Sequence, residues 1–187
     1  MNQLKMLGLS VMASVLLMVF AGSASAATFT APSGTEYTGS FDMSLEGSLL
    51  MKNGFAETTC THGTIQGSII ANDETAVGGV FSKFELSNCG QMTVDTLNNN
   101  GTLKIDKSNT AVTATGVEVT FSTAGTSCVY GFGATSTSLG TAANTASGVT
   151  LAIKASIGKV SGGFLCASPA HWTGNYVFTT PTGSVAD

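Results

Sequence analysis

The sequence predicts an all-β fold, either an antiparallel two-sheet sandwich or a partly open barrel, with two disulfides and an N-terminal signal peptide. Apolar and polar residues alternate along several segments, which is the two-residue period of a half-buried strand. Turn signals separate about ten such segments. The chain is also rich in Thr, Ser, Gly and Val, a composition that favours strands over helices.

The N-terminus has the three parts of a secretory signal peptide. Lys5 supplies a positive charge, residues 6–20 are apolar, and Ala24-Ser25-Ala26 places small residues where a signal peptidase reads them. We therefore expect residues 1–26 to be a signal peptide and residues 27–187 to form a single β-sandwich domain. The apolar run is short for a bilayer span and no second run follows, so we expect no integral membrane span in the mature chain. The expected location is secreted, extracellular or at the cell surface, and the periplasm is also compatible.

Three segments show the strand period most clearly: "FDMSLEG", "GVEVTFS" and "GVTLAIKASIG". Their apolar faces consist of Phe41, Met43 and Leu45, then Val117, Val119 and Phe121, then Val149, Leu151, Ile153 and Ile157. The pairs Asn53-Gly54 and Asn100-Gly101 match the type I′ turn, so each predicts an antiparallel hairpin. The polar stretch 131–148 is predicted to be a mobile loop or an irregular edge.

Four cysteines, Cys60, Cys89, Cys128 and Cys166, follow the export signal. An even number in an exported chain indicates disulfides, and four cysteines allow three pairings. We favour sequential pairing, because each sequential pair brackets one or two hairpins that can bring its ends together. No two cysteines have the short spacing of a zinc site.

The charge balance argues against nucleic acid as a partner. Without the signal peptide the chain has six lysines, no arginine and eleven acidic residues, a net charge of −5. Such a chain lacks the basic surface that neutralises phosphates. Nucleic acid and anionic membrane surfaces are therefore not expected to bind.

No catalytic residues are predicted. The G-x-S-x-G elbow is absent, and a serine nucleophile needs a positioned base and a third orienting group. His171 could supply the base, with Asp42, Asp95 or Asp106 as the orienting group. A chain this rich in serine offers many such combinations, so we expect the serines to be strand and turn residues.

No metal or other cofactor is predicted either. Cys60-x-His62 with His171 would be a thin ligand set for zinc, and its thiolate would have to be free of a disulfide. Asp73 and Glu74 are too few acidic residues for a calcium loop, since Ca²⁺ takes six or more oxygen ligands.

The region around the single tryptophan is the candidate ligand platform. Exposed Trp172 and Tyr176, with His171 beside them and Tyr130 and Tyr37 elsewhere, could stack on a sugar. In a small β-domain a lone tryptophan is more often part of the core. On a regular strand Trp172 and Tyr176 share one face and His171 points the other way, so we expect the two aromatic residues, with Phe178, to pack inward.

The stretch "FLCASPAHWTGNYVFTTP" resembles the C-terminal signature of uncharacterised secreted bacterial β-proteins, in which a Cys is followed by a Trp, a Tyr strand and a Thr-Thr-Pro ending. The segments "ETTCTHGTIQGSI" and "FELSNCG" match the same pattern. Their layout is also similar to that of the secreted bacterial activator of alkane oxidation. The resemblance implies a disulfide-bonded extracellular β-domain without catalytic residues, in which Cys166, Trp172 and Tyr176 have structural roles.

Together these observations favour an exported, non-catalytic surface module. Its expected task is contact, through self-association or with a hydrophobic or polymeric surface, as in biofilm or envelope proteins. A carbohydrate-binding module that uses Trp172 is the first alternative, and a secreted hydrolase is the second.

Overall fold

A computed structural model describes Phe29 and residues 36–53, 56–90, 92–123, 125–145 and 148–181. The predicted signal peptide, residues 1–26, lies outside the described residues. The strands are β1 Gly39–Asn53, β2 Ala56–Cys60, β3 His62–Asn72, β4 Ala76–Ser87, β5 Met92–Asp106, β6 Ala111–Thr123, β7 Thr126–Gly131, β8 Thr137–Thr145, β9 Gly148–Gly162 and β10 Ala170–Thr180. The predicted all-β class is therefore confirmed. Within these ranges no helix is long and apolar enough to cross a membrane.

The strands form one antiparallel sheet that closes on itself. Around the ring the order is β1, β3, β4, β5, β6, β7, β9 and β10, and β10 pairs with β1 to complete the circle. The architecture is thus a closed eight-strand barrel to which β2 and β8 are added. Of the two predicted architectures, a two-sheet sandwich or a partly open barrel, the structure is closer to the barrel, and the ring is closed because β9 pairs with β10 and β10 with β1.

At two positions in the ring, two strands pair one after the other with the edge of the same neighbour. Residues 39–44 of β1 pair with β3, and residues 49–53 pair with β2 along the same edge. In the same way β8 and β7 follow one another between β6 and β9. Short strands of this kind let the chain close the ring without ten full-length strands.

The barrel interior is filled by the apolar faces that the strand period predicts. Phe41 and Met43 of β1 are buried, and Leu45 is partly buried against the same core. The inward residues of β6 and β9 are buried as well: Val117, Val119, Phe121, Val149, Leu151, Ile153 and Ile157. Polar residues occupy the intervening outward positions, so the alternation in sequence is the alternation between core and solvent.

Phe29 joins this core from the N-terminal side. Its ring lies 4.6 Å from the ring of Phe178, measured between centroids. The side-chain amide of Asn72 donates to the carbonyl oxygens of Phe29, at 2.7 Å, and Tyr37, at 3.1 Å. The chain is therefore fixed to the barrel three residues after the predicted cleavage site.

Both disulfides follow the sequential pairing. Cys60 is bonded to Cys89 and Cys128 to Cys166, with Cα–Cα distances of 4.0 and 5.6 Å. The bridges span 29 and 38 residues, so each restricts the unfolded chain by about 3–4 kcal/mol in the chain-entropy account. The first bridge ties β2 to the end of β4, and the second ties β7 to the segment before β10.

Only one of the two Asn-Gly pairs marks a hairpin. Asn53 pairs with Ala56, so β1 and β2 form the first predicted hairpin. The second prediction is wrong, because β5 runs through Asn100 without a turn. Gly101 there has φ +49° and lies opposite Gly116, whose φ is +70°. A Cβ at Gly101 would clash with the backbone of β6, so the glycine serves close strand approach, not a turn.

The low-complexity stretch 131–148 is not simply a loop. Its residues 137–145 form β8, which pairs with β6 on one side and β9 on the other. Leu139 and Ala142 point inward and are buried, which supplies the apolar contact that holds the strand. Thr and Ala suit a strand here because neighbours on both sides complete its hydrogen bonds.

β4 and β5 pair along only part of their length and then diverge. Among the described residues the pairing of β4 with β5 covers Ala76 to Val80, whereas β3 follows β4 as far as Ser87. A bulge within β4 and two register shifts in β5 accompany the divergence. Phe84, in the part of β4 that lies beyond this pairing, belongs to the aromatic cluster described below.

Candidate functional site

The proposed ligand platform does not form one exposed surface. On β10 Trp172 is 5% exposed and Tyr176 is fully buried, whereas His171 lies on the outer face. This is the division by strand face that the sequence predicts. The neighbours of His171 are Lys52 on β1 and Ser156 on β9, both on the polar exterior. The two aromatic residues and the histidine therefore meet different environments.

Trp172 belongs to an aromatic cluster inside the barrel. Its indole stacks on Phe84 with a centroid distance of 5.5 Å and packs edge-on against Phe121 at 5.4 Å. An apolar cavity of about 30 Å³ lies next to the indole and is also bordered by Phe81 of β4 and Leu97 of β5. A cavity this small leaves no room for a sugar ring or a drug-sized ligand, which needs about 300 Å³ or more.

Tyr176 is the deepest of the aromatic side chains on β10. A Cβ at Gly63 of β3 would lie 2.9 Å from its hydroxyl oxygen, so the ring reaches across beneath β1. Burial raises the pKa of the Tyr176 hydroxyl well above its ordinary value. Among the described residues this hydroxyl has no hydrogen-bond partner. Its contribution to the fold therefore comes from the ring.

Tyr130 has a different role, because its hydroxyl is satisfied on both sides. The Asn53 side-chain amide donates to it at 2.9 Å, and the hydroxyl donates to the carbonyl oxygen of Ala167 at 2.9 Å. Burial raises the pKa of Tyr130, while the hydrogen bond from Asn53 acts in the opposite direction. The phenol thus connects β1, β7 and the segment before β10.

The candidate catalytic and zinc residues are engaged in other contacts. Cys60 is locked in a disulfide, and the Nδ1 atom of His62 lies 3.0 Å from the side-chain amide of Asn88. Asp42 accepts a hydrogen bond from Gln66 and lies opposite Thr180, at the other end of β10 from His171. The side chain of Asp95 lies outside what the structure describes. The described residues contain no group of three or more potential metal ligands.

The acidic pair between β3 and β4 forms a turn. The Oδ1 atom of Asp73 accepts hydrogen bonds from the hydroxyl and backbone N–H of Thr75 and from the N–H of Ala76, at 2.7–2.9 Å. These bonds, the Thr75 hydroxyl foremost, lower the pKa of Asp73 to about 2. Because this carboxylate oxygen is occupied by its own turn, it stabilises the β3–β4 connection.

A polar surface cleft of about 610 Å³ lies next to this turn. It is bordered by carboxylates of Glu36, Glu74 and Asp106 and by the amines of Lys104 and Lys107. Lys107 Nζ donates to the backbone carbonyl oxygen of Asp73. Hydrogen bonds from the hydroxyl and backbone N–H of Ser108 lower the pKa of Asp106. The cleft's charges are thus of both signs and take part in local structure.

The least expected feature is an exposed apolar loop at the end of β9. We refer to residues 163–169, between β9 and β10, as the tip loop. Phe164 is 93% exposed and Leu165 is 63% exposed, and Val160 of β9 is 51% exposed nearby in sequence. Sequence reasoning gave structural roles to Cys166, Trp172 and Tyr176 in this region and did not single out Phe164 or Leu165. The signal it missed is that two apolar residues after Gly162-Gly163 break the strand alternation inside a turn.

The tip loop is held by covalent and hydrogen-bonded anchors. The disulfide to Cys128 fixes Cys166, and the N–H of Cys166 donates to the carbonyl oxygen of Gly163 at 3.1 Å. Tyr130 binds the carbonyl of Ala167, as described above. Phe164 is therefore exposed on a constrained loop, in which Cys166 and Ala167 are tied to β7.

Comparisons with protein-family models, with curated proteins and with solved structures found no match for this chain.

Proposed function

We propose that this chain is an exported, non-catalytic β-barrel that acts by contact and attaches to apolar surfaces through the tip loop. The signal-peptide pattern and the two disulfides support export into an oxidising compartment. The polar outer faces of the strands support a domain that remains folded in water. Attachment to an apolar surface therefore requires apolar side chains that are exposed on this polar exterior.

The exposed ring of Phe164 is the observation that carries the proposal. Because exposed Phe and Leu side chains each present roughly 150–250 Å² when fully open to water, Phe164 and Leu165 together expose about 300 Å² of apolar surface. The two residues are adjacent in sequence, and the largest apolar patch on a protein surface, commonly about 300–600 Å², is often functional. Removing each side chain from water is worth about 1.5–3 kcal/mol. Burial of both side chains against an apolar surface therefore contributes favourable binding free energy.

The carbohydrate-binding alternative lacks a comparable observation. Trp172 and Tyr176, the aromatic residues that would stack on a sugar, are inside the barrel. Tyr130 is buried as well and uses its hydroxyl to hold the tip loop. We therefore base the proposed function on the tip loop alone.

Adsorption to a methyl-terminated monolayer, followed by surface plasmon resonance, tests the proposal. Leu165→Ser and Phe164→Ser should each weaken adsorption about tenfold or more, since each removes about 1.5 kcal/mol or more of transfer free energy. Ile70→Ser is the matched control, because Ile70 of β3 is also 63% exposed but lies outside the tip loop. Equal losses for all three variants, or none for the tip variants, would reject the proposal.

A further inference from the structure

The tip loop and the residues next to it carry no ionisable side chains. Residues 160–170 carry none, since Cys166 is in a disulfide, and the first ionisable groups on either side are Lys159 and His171. Phe164, the most exposed large apolar side chain among the described residues, and Leu165 lie in the middle of this stretch. A lysine beside exposed apolar side chains suits a segment that meets lipid, because its ammonium group can remain at the level of the phosphates while the apolar side chains lie deeper.

The size and shape of the tip argue against a folded protein as its partner. A stable protein interface buries about 800 Å² on each side, well above the roughly 300 Å² that Phe164 and Leu165 offer. A single protruding ring would also need a matching pocket in a rigid partner. A fluid lipid layer has no such requirement, because it closes around a protrusion of any shape.

The anchoring of the tip loop also favours insertion into a lipid layer. The disulfide to Cys128 and the hydrogen bond from Tyr130 hold the loop on one side, and the Ser168 hydroxyl accepts from the N–H of Lys159 at 3.2 Å on the other. The loop is thus ordered before it meets a partner. Little conformational entropy is lost on contact, so even two apolar side chains can give measurable binding.

We propose that the apolar surface recognised by the tip loop is the interfacial layer of an uncharged, zwitterionic lipid bilayer. This inference rests on the proposed function and names the partner of the same site. Phe164 and Leu165 enter the boundary between headgroups and acyl chains, and Lys159 lies at the phosphates. The net charge of −5 outside the signal peptide disfavours anionic lipid, so a zwitterionic headgroup is the better match.

Co-flotation of the full disulfide-bonded domain with phosphatidylcholine vesicles tests the proposal. Wild type should float with the vesicles, Phe164→Ser and Leu165→Ser should lower the partition coefficient about tenfold each, and Ile70→Ser should leave it unchanged. Replacing a third of the phosphatidylcholine with phosphatidylglycerol should lower partitioning of wild type. Increased partitioning instead, or a loss with Ile70→Ser equal to that of the tip variants, would overturn the inference.

A site-specific readout comes from Phe164→Trp. Its fluorescence should be quenched by phosphatidylcholine brominated near the headgroup, whereas the buried Trp172 of the wild type should be quenched far less. Wild type that adsorbs to methyl-terminated surfaces but does not bind vesicles would reject the lipid partner and leave the proposed function intact. A concentration-dependent dimer that the tip substitutions dissociate would instead show a second copy of the chain as the partner.

Discussion

Replacement of Trp172 by alanine should be among the most destabilising substitutions on β10. The side chain is 5% exposed and makes two close aromatic contacts, with Phe84 and Phe121. Truncation of a buried Trp costs about 3–5 kcal/mol in all, and the two aromatic contacts place this residue in the upper part of that range. The indole also borders an existing cavity of about 30 Å³, so the void left behind extends space that is already empty. We therefore expect a loss of about 4–5 kcal/mol, a large part of the 5–15 kcal/mol typical of a domain.

The measurement is urea unfolding of the disulfide-bonded domain followed by far-UV circular dichroism, because Trp172→Ala removes the only tryptophan. His171→Ala is the matched control on the adjacent outward position and should cost under about 0.5 kcal/mol. Trp172→Phe should fall between the two, since it keeps an aromatic ring against Phe84. A free energy of unfolding for Trp172→Ala within about 1 kcal/mol of wild type would refute the assignment of the indole to the core.

Three further predictions concern single groups of the barrel. Tyr176→Phe should raise stability by about 1 kcal/mol in urea unfolding, because it removes a buried hydroxyl that has no partner among the described residues. The raised pKa of that phenol means that wild type loses stability as pH rises above the ordinary value of 10.0, and Tyr176→Phe should lose less over the same range. Gly101→Ala should cost about 2 kcal/mol or more, because φ is +49° and the Cβ would meet β6, whereas Gly133→Ala, with open space around it, should be nearly neutral. Asp73→Asn should have a lower Tm than wild type at pH 7. The difference in Tm should disappear as pH falls from 3.8 to about 2, because the hydrogen bonds that lower the pKa of Asp73 favour the folded state only while its carboxylate is ionised.

The sequence was most informative where a single period decides which side chains are buried. The alternation in β1, β6 and β9 identified the inward faces correctly, and the spacing of the cysteines led to the observed pairing. It could not distinguish a sandwich from a barrel, because both place alternate residues inside. Closure depends on the pairing of β9 with β10, which is set by the register between two whole strands and not by either segment alone.

The two errors in local structure share a physical cause. Asn100-Gly101 has the residues of a type I′ turn, yet Gly101 and Gly116 lie opposite each other where two strands approach closely. Stretch 131–148 has the composition of a loop, yet β8 gains its hydrogen bonds from partners distant in sequence. In both cases contacts between strands outweigh the turn or loop preference of the local sequence. These contacts join residues that are distant in sequence, so the local segment does not reveal them.

The tip loop was missed for the opposite reason, because what distinguishes it is that Phe164 and Leu165 are exposed and do not pack in the core. Phe164 and Leu165 look like core residues by type, and their neighbours Cys166 and Trp172 are indeed buried. Exposure becomes visible only once the disulfide to Cys128 fixes where the chain turns back between β9 and β10. The bridge therefore has two consequences: it restricts the unfolded chain, and it ties the tip loop to β7 two residues after the exposed ring of Phe164. Reduction of Cys128–Cys166 should for that reason lower binding to apolar surfaces more than it alters the strands of the barrel.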